Sequence, residues 1–229
     1  GVATAGQFGT TRLGVAPVQE NGTTHMTIVD AKGNVVSMTT TVEAGMGSHH
    51  VTQGFVLNTQ LTDFSAAPTS ADGLPVANRV EAGKRPRSSM APTLVFDANA
   101  NGTPGAFKMA TGSPGGSTII QFVTKTLVGS LDWGMNAQQA TSMVNFGAAN
   151  SKTTNVGGEH PNINAANSGD NDPLVIALRG MGHTVSVNAQ SSGVGTIIRT
   201  ASAEGEARLS GGADPRREGV VLGDTYKAK

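Results

Sequence analysis

Thr23-Thr24-His25-Met26-Thr27-Ile28-Val29-Asp30 opens the first extended segment of this 229-residue chain. From His25 to Asp30 the residues alternate weakly between polar and apolar. The run breaks at Ala31-Lys32-Gly33-Asn34, a turn signal, and resumes as the β-branched segment Val35 to Thr41, so the whole reads as a hairpin. A threonine hydroxyl is a poor nucleophile without an adjacent base. Making the threonine the first residue of a chain solves this, because its own α-amine takes the proton. Threonine pairs before strands are common, so this run alone leaves the catalytic and the purely structural readings open.

Upstream, residues 1–22 are small, polar and aperiodic, and read as a flexible tail ending in the Asn21-Gly22 turn. Downstream, Gly54 to Asn58 reads as a strand and residues 65–83 as a long loop. Thr93 to Phe96 and Ala106 to Ala110 read as short strands joined by the turn Asp97 to Gly105. Ile119, Ile120, Phe122, Val123, Leu127 and Val128 have helical spacing after Gly115-Gly116-Ser117. A second helix is expected over Met135 to Phe146, a loop over Gly147 to Asp172, and a short helix from Pro173 to Met181 stopped by Gly182. His183 to Val187, Gly195 to Thr200 and Ala207 to Leu209 read as closing strands. Strands, then helices, then strands favour an α+β fold with a stacked sheet.

Composition narrows the function classes. Lys+Arg 16 balances Asp+Glu 16, so the net charge gives no electrostatic case for nucleic acid or an anionic membrane. No cysteine is present, which removes a disulfide scaffold, a thiolate zinc site and a cysteine nucleophile. No run approaches the ~20 apolar residues of a membrane helix. The chain opens at Gly1 without a basic, apolar leader, which suggests a product or fragment of something longer. Asn21-Gly22-Thr23 and Asn101-Gly102-Thr103 match glycosylation sequons, and both are taken as chance matches of a short motif.

Several short motifs have a bland reading when taken singly. Gly112-Ser113-Pro114-Gly115-Gly116 reads as a tight turn. It lacks the Lys-Ser/Thr of a phosphate loop, and Thr111 stands where a nucleophile elbow needs glycine. Asp63 reads as a loop acid and Ser88-Ser89 as a turn. His49-His50 are adjacent, so on a strand they would face opposite ways and ligate one metal poorly. A solvent-facing loop pair is the expectation, with no metal and no organic cofactor. Asp214 and Arg216 are expected to form an ion pair or turn.

Taken together in order, the blocks are specific. The run from Thr23 through Gly33-Asn34, Val36-Ser37, Thr39, Thr41-Val42-Glu43 and Gly47 resembles the signature of the γ-glutamyltranspeptidase family. The resemblance continues through Leu57-Asn58-Thr59-Gln60-Leu61-Thr62-Asp63-Phe64-Ser65 and Gly83-Lys84-Arg85-Pro86-Arg87-Ser88-Ser89-Met90-Ala91-Pro92-Thr93. Thr111-Gly112-Ser113-Pro114-Gly115-Gly116-Ser117 and Ala213-Asp214-Pro215-Arg216-Arg217 complete it.

The resemblance implies an N-terminal nucleophile hydrolase with the four-layer αββα sandwich. It implies a precursor that cuts itself at Gly22–Thr23, so that residues 1–22 are a tail of the large subunit and residues 23–229 the small-subunit catalytic domain. Thr23 is then nucleophile and, through its amine, general base. Thr41 hydrogen-bonds it, and the backbone N–H groups of Gly115 and Gly116 form the oxyanion hole. Asp63 binds the substrate α-amine with Glu43 and Gln60 beside it, while Ser88 and Ser89 bind the α-carboxylate. His25 belongs to the signature and is expected to be structural rather than a proton shuttle.

The implied reaction cleaves γ-glutamyl amides, typically glutathione, through a γ-glutamyl ester on Thr23 that passes to water or an amino acid. The implied partners are the large subunit, which carries a carboxylate-binding arginine, and a small-molecule substrate. The implied location is periplasmic or extracellular. Met46 and Gly47-Ser48-His49 depart from the family pattern, and the segment from Ser65 to Lys84 is short for a substrate-covering lid and lacks tyrosine. That favours hydrolysis over transfer. The alternatives are an acylase of the same fold acting on glutaryl, cephalosporin or polyglutamate substrates, and an unprocessed, non-catalytic homologue.

Overall fold

The expected hairpin forms as β1 (Thr23–Val29) and β2 (Val35–Thr41), paired in a two-stranded sheet. Asp30 shapes its turn by accepting the backbone N–H groups of Lys32 and Asn34. The hairpin's faces are unusual. His25, Thr27, Ser37 and Thr39 point inward, whereas Met26, Ile28, Val36 and Met38 are exposed. A computed structural model describes residues 22–149, 151–201 and 207–223, so residues 1–21, assigned above to a large-subunit tail, lie outside the described residues.

Two compact units divide the described chain: Gly22, Thr23 and Thr41–Ser88 form one, and Thr24–Thr40 with Ser89 onward the other. The first unit is mostly loop. It holds the short pair β3 (Val51–Thr52) and β4 (Phe55–Val56), a 3-10 turn over Gln60–Asp63, and a long segment pinned by backbone bonds such as Ser65 N–H to Asn78 O. Phe64 and Val76 are its buried apolar anchors. The expected strand at Gly54 to Asn58 shrinks to two residues.

The second unit carries the regular structure. β5 (Thr93–Ala98) and β6 (Pro104–Gly112) lead into α1 (Ile119–Leu131) and α2 (Ala137–Ser142). β7 (Phe146–Gly147), β8 (Thr153–Gly157), α3 (Pro173–Gly180) and β9 (Thr184–Asn188) follow, and β10 (Gly195–Ala201) and β11 (Ala207–Ala213) come last among the described elements. One sheet has the order β11-β10-β6-β5 with antiparallel neighbours, and a second has the order β7-β8-β9. β8 and β9 are parallel, so they need a crossover, and α3 supplies it. Strands and helices largely segregate, as an α+β fold requires.

The helices begin where their caps dictate. Asn136 and Gln139 form a reciprocal capping box at the start of α2. Asp172 caps α3, and Pro173 occupies its first turn, where a missing N–H costs nothing. In α1 the buried residues Ile119, Phe122, Val123 and Thr126 follow helical spacing and turn one face to the core.

Two further expectations change. The second helix ends at Ser142, because the chain turns extended at Met143 and Phe146 joins β7. The expected loop from Gly147 to Asp172 contains β8, whose Val156 is fully buried with Ile163, Val175 and Leu178 in one apolar cluster. The Asn, Gly and Ser around β8 disguised a central strand.

Candidate active site

Thr23 is buried at the start of β1, and its Oγ1 lies 2.8 Å from Thr41 Oγ1 at the end of β2. Thr41 Oγ1 also accepts the Glu43 backbone N–H at 2.9 Å. That bond occupies a Thr41 lone pair and leaves its hydroxyl proton able to reach Thr23. Gly22 extends the pairing: its N–H donates to Glu43 O at 3.0 Å, and its carbonyl accepts the Val42 N–H at 2.9 Å. A Cβ on Gly22 would sit 2.8 Å from Glu43 O and 2.9 Å from Ala44 O, so only glycine fits.

Glu43 is buried in the same unit and adopts φ +70°. Met46, His49 and Gln53 also have positive φ, at +60°, +59° and +50°. Each such non-glycine residue costs of order 1–3 kcal/mol, and strain of this kind clusters at functional sites. His49 and His50 are exposed loop residues. Gln60 and Asp63 share the 3-10 turn, with Gln60 Nε2 at 3.4 Å from Asp63 Oδ2. Asn78 Nδ2 donates to the Asp63 backbone carbonyl at 2.6 Å and anchors that turn to the long segment.

The first unit therefore gathers Thr23, Thr41, Glu43, Gln60 and Asp63. Ser88 is exposed at its edge, while the adjacent Ser89 is half-buried and begins the second unit's long stretch.

In the second unit, β6 runs directly into Ser113-Pro114-Gly115-Gly116. Ser113 Oγ is buried, donating to Pro114 O at 2.6 Å and accepting the Gly193 N–H at 3.1 Å, so it is a strut rather than a nucleophile. Gly115 has φ +136° and Gly116 φ +60°, and a Cβ on Gly115 would lie 2.5 Å from the Phe122 ring. Both glycines precede the 3-10 turn Gly116–Thr118 and α1, where the helix dipole favours negative charge.

His25 Nδ1 lies 2.9 Å from Thr39 Oγ1, and its Nε2 lies 2.9 Å from Thr27 Oγ1. Burial pushes its pKa down to about 4, so the ring is neutral at physiological pH.

The structure also reveals a buried polar network whose extent no motif announced. Arg216 pairs with Glu159 at 2.5 Å and with Asp214 at 3.0 Å, and donates to Met143 O at 2.9 Å. Ser192 Oγ donates to Asp214 Oδ2 at 2.5 Å, and Asn145 Nδ2 donates to Ser192 Oγ at 2.8 Å. Lys125 Nζ donates to the same Met143 carbonyl at 2.5 Å. Burial first, and the Arg216 charge second, lower the Lys125 pKa to about 7. The Asp214-to-Arg216 block hinted at this network, but its partners at Lys125, Met143 and Glu159 are too distant in sequence to be read. Among the described residues no three His, Asp or Glu side chains gather as a metal site needs.

A sequence model described as Gamma-glutamyltranspeptidase matches residues 5–224. The Glutathione hydrolase proenzyme of Bacillus subtilis (strain 168) is 32% identical over 219 residues, covering 92% of this chain and 32% of that protein. The chain spans a third or less of the length of the first curated relatives it matches. A crystal structure of a Helicobacter pylori gamma-glutamyltranspeptidase mutant is 31% identical with a TM-score of 0.68, covering 85% of this chain and 100% of that one. A cephalosporin acylase from Bacillus halodurans shares the fold at 22% identity and a TM-score of 0.64, covering 94% of this chain and 36% of that one.

Proposed function

The chain belongs to the gamma-glutamyltranspeptidase family, and from that premise we propose that it carries the nucleophile of a γ-glutamyl amide hydrolase or transferase, Thr23. Its α+β fold is that of the N-terminal nucleophile hydrolases. One observation carries the reading: Thr23 opens β1 with its Oγ1 2.8 Å from Thr41 Oγ1, in a strand that continues back to Gly22.

In self-cleavage, Thr23 Oγ attacks the Gly22 carbonyl carbon. The acyl group moves from nitrogen to oxygen, the Thr23 amine is freed, and water hydrolyses the ester. The Val42 N–H on the Gly22 carbonyl oxygen supports this step, because it stabilises the charge that builds there. The boundary then falls between residues 1–22 and 23–229, and the partner is the large subunit released by the same cut. The relative's name, proenzyme, agrees with processing.

In catalysis, the freed amine takes the Thr23 hydroxyl proton as Oγ attacks the γ-glutamyl carbonyl. The proton passes to the leaving amine, and water or an amino acid takes the acyl group. Gly115 and Gly116 N–H groups hold the oxyanion, Glu43, Gln60 and Asp63 the α-amine, and Ser88 and Ser89 the α-carboxylate. The short segment after Ser65 favours water as acceptor. The family's usual setting, outside the cytoplasm, is proposed for this protein too.

The test is the kcat/KM of the full-length protein for γ-glutamyl and glutaryl anilides, with the N-terminal residue of the small chain determined in parallel. The reading expects cleavage before Thr23 and preference for the γ-glutamyl anilide. The shared fold of the cephalosporin acylase keeps an acylase as the second reading. A single uncut band would support the non-catalytic homologue.

A further inference from the structure

Gly112 and Gly195 are direct partners across β6 and β10. Two glycines facing each other weaken a strand pair, since neither packs a side chain and each loses more chain entropy than any other residue. Neither has the positive φ that would demand glycine. The space above them supplies the reason. A Cβ on Gly112 would fall 2.2 Å from His25 Cε1, 2.4 Å from Nδ1 and 2.7 Å from Nε2. A Cβ on Gly195 would meet His25 Cδ2 at 3.5 Å, an ordinary contact. The imidazole lies against the bare backbone of Gly112, where a side chain would collide with it.

The ring is held on that seat from its own hairpin. Its two nitrogens meet Thr27 and Thr39 hydroxyls, which accept or donate as either neutral tautomer requires. A second tie lies beside it: Ser37 Oγ donates to the Thr111 carbonyl at 3.1 Å. Thr111 is fixed in turn by a 2.7 Å bond between its Oγ1 and Thr196 Oγ1 on β10. The inward polar face of the hairpin is thus bolted to β6 at Thr111 and Gly112, the last residues before Ser113-Pro114-Gly115-Gly116.

We infer that His25 is a positioning residue: seated on the Gly112–Gly195 pair, its ring locks the strand that begins with Thr23 to the strand that leads into Gly115-Gly116. This rests on the reading of Thr23 as nucleophile. His25 moves no proton. Its contacts are hydroxyls and glycine backbone, and the neutral ring serves as a spacer with two hydrogen-bonding arms. A shift of the seat displaces the start of β1, which carries the attacking oxygen, the kind of misplacement that lowers kcat while leaving ground-state binding intact.

The test uses the full-length protein, a γ-glutamyl anilide, and titration of Thr23 by an acylating inhibitor to count competent sites. Gly112→Ala should lower kcat by about 10- to 100-fold per titrated site, with KM within about twofold. Gly195→Ala should change kcat by less than about twofold, because its Cβ fits. In a His25→Ala background the Gly112→Ala penalty should vanish, since the ring it collides with is gone. His25→Gln, which frees the seat, gives a second measure should Gly112→Ala not fold: the same fall in kcat at constant KM is expected. An active wild type whose variants lose only melting temperature, with kcat per site unchanged, overturns the inference alone. So does a Gly112→Ala penalty undiminished by His25→Ala. A wild type with no turnover and no acyl group on Thr23 overturns the reading of Thr23 and this inference with it.

Discussion

Thr41 Oγ1 stands between two groups, accepting the Glu43 N–H at 2.9 Å and lying 2.8 Å from Thr23 Oγ1. One hydroxyl therefore ties the proposed nucleophile to the backbone of a proposed amine-binding residue. Thr41→Val keeps the shape and removes both bonds. A neutral hydrogen bond contributes about 0.5–1.5 kcal/mol, so kcat/KM for a γ-glutamyl anilide should fall up to about tenfold. Thr41→Ser should recover most of it. An unchanged kcat/KM in the valine variant would remove Thr41 from the site.

Gly22→Ala should block self-cleavage. The added methyl would press on the carbonyl oxygens of Glu43 and Ala44, backbone atoms that cannot swing away. On a denaturing gel the precursor should persist as one band under conditions in which the wild type is cut. Normal cleavage of the alanine variant would mean that the Gly22 strand pairing is not needed for processing.

Arg216→Met should destabilise strongly. Asp214 is buried and loses its cationic partner, and breaking a buried pair from one side typically costs about 3–5 kcal/mol. The denaturation midpoint should shift accordingly at an unchanged m-value. A loss under about 1 kcal/mol would contradict the network's role in the fold.

Lys125→Met should be neutral or stabilising near pH 7. The methionine keeps the apolar stem, and Arg216 still satisfies Met143 O. The pH dependence distinguishes the two proteins. The Lys125 pKa falls from 10.5 to about 7 on folding, so between those values the unfolded state holds more protons than the folded one. Wild-type stability should gain from Lys125 as pH rises from about 7 to 10.5, and the methionine variant should lack that gain. Parallel curves would show that Lys125 titrates normally.

His25 gives the complementary acid limb. Its folded pKa of about 4 lies below the ordinary 6.5, so its neutral form is the one the fold accepts. Its contribution is intact above pH 6.5 and lost progressively as pH falls to about 4. Subtracting the His25→Gln curve from the wild type isolates this term. A flat difference between pH 6.5 and 4 would mean that the ring is solvated.

Local signals were readable and long-range ones were not. The β1–β2 hairpin, α1, α3 with its Asp172–Pro173 start, and β9 to β11 followed from periodicity and caps that lie within each segment. β8 escaped because Thr153–Gly157 owes its strand state to Val156 packing against α3 and to pairing with β9, neither visible nearby. At the candidate site, the resemblance carried by several ordered motifs names Thr23, Glu43 and Asp63, which fall in one unit. The Gly112–Gly195 seat and the Lys125–Arg216 network did not, since each joins residues more than eighty positions apart.

The Arg216 network also bears on the order in which the chain is made. Glu159 and the Met143 carbonyl wait for Arg216, a residue synthesised after them, and β10 must emerge before β6 gains its second neighbour. Every described residue of the first unit precedes Ser89, so that unit can form while the ribosome is still reading α1. The second unit can close only when its final strand and the arginine just beyond it have left the exit tunnel. A growing chain would therefore hold its buried charges open to water until Arg216 is added, and premature termination before Arg216 would leave Asp214 without the cation that makes its burial tolerable.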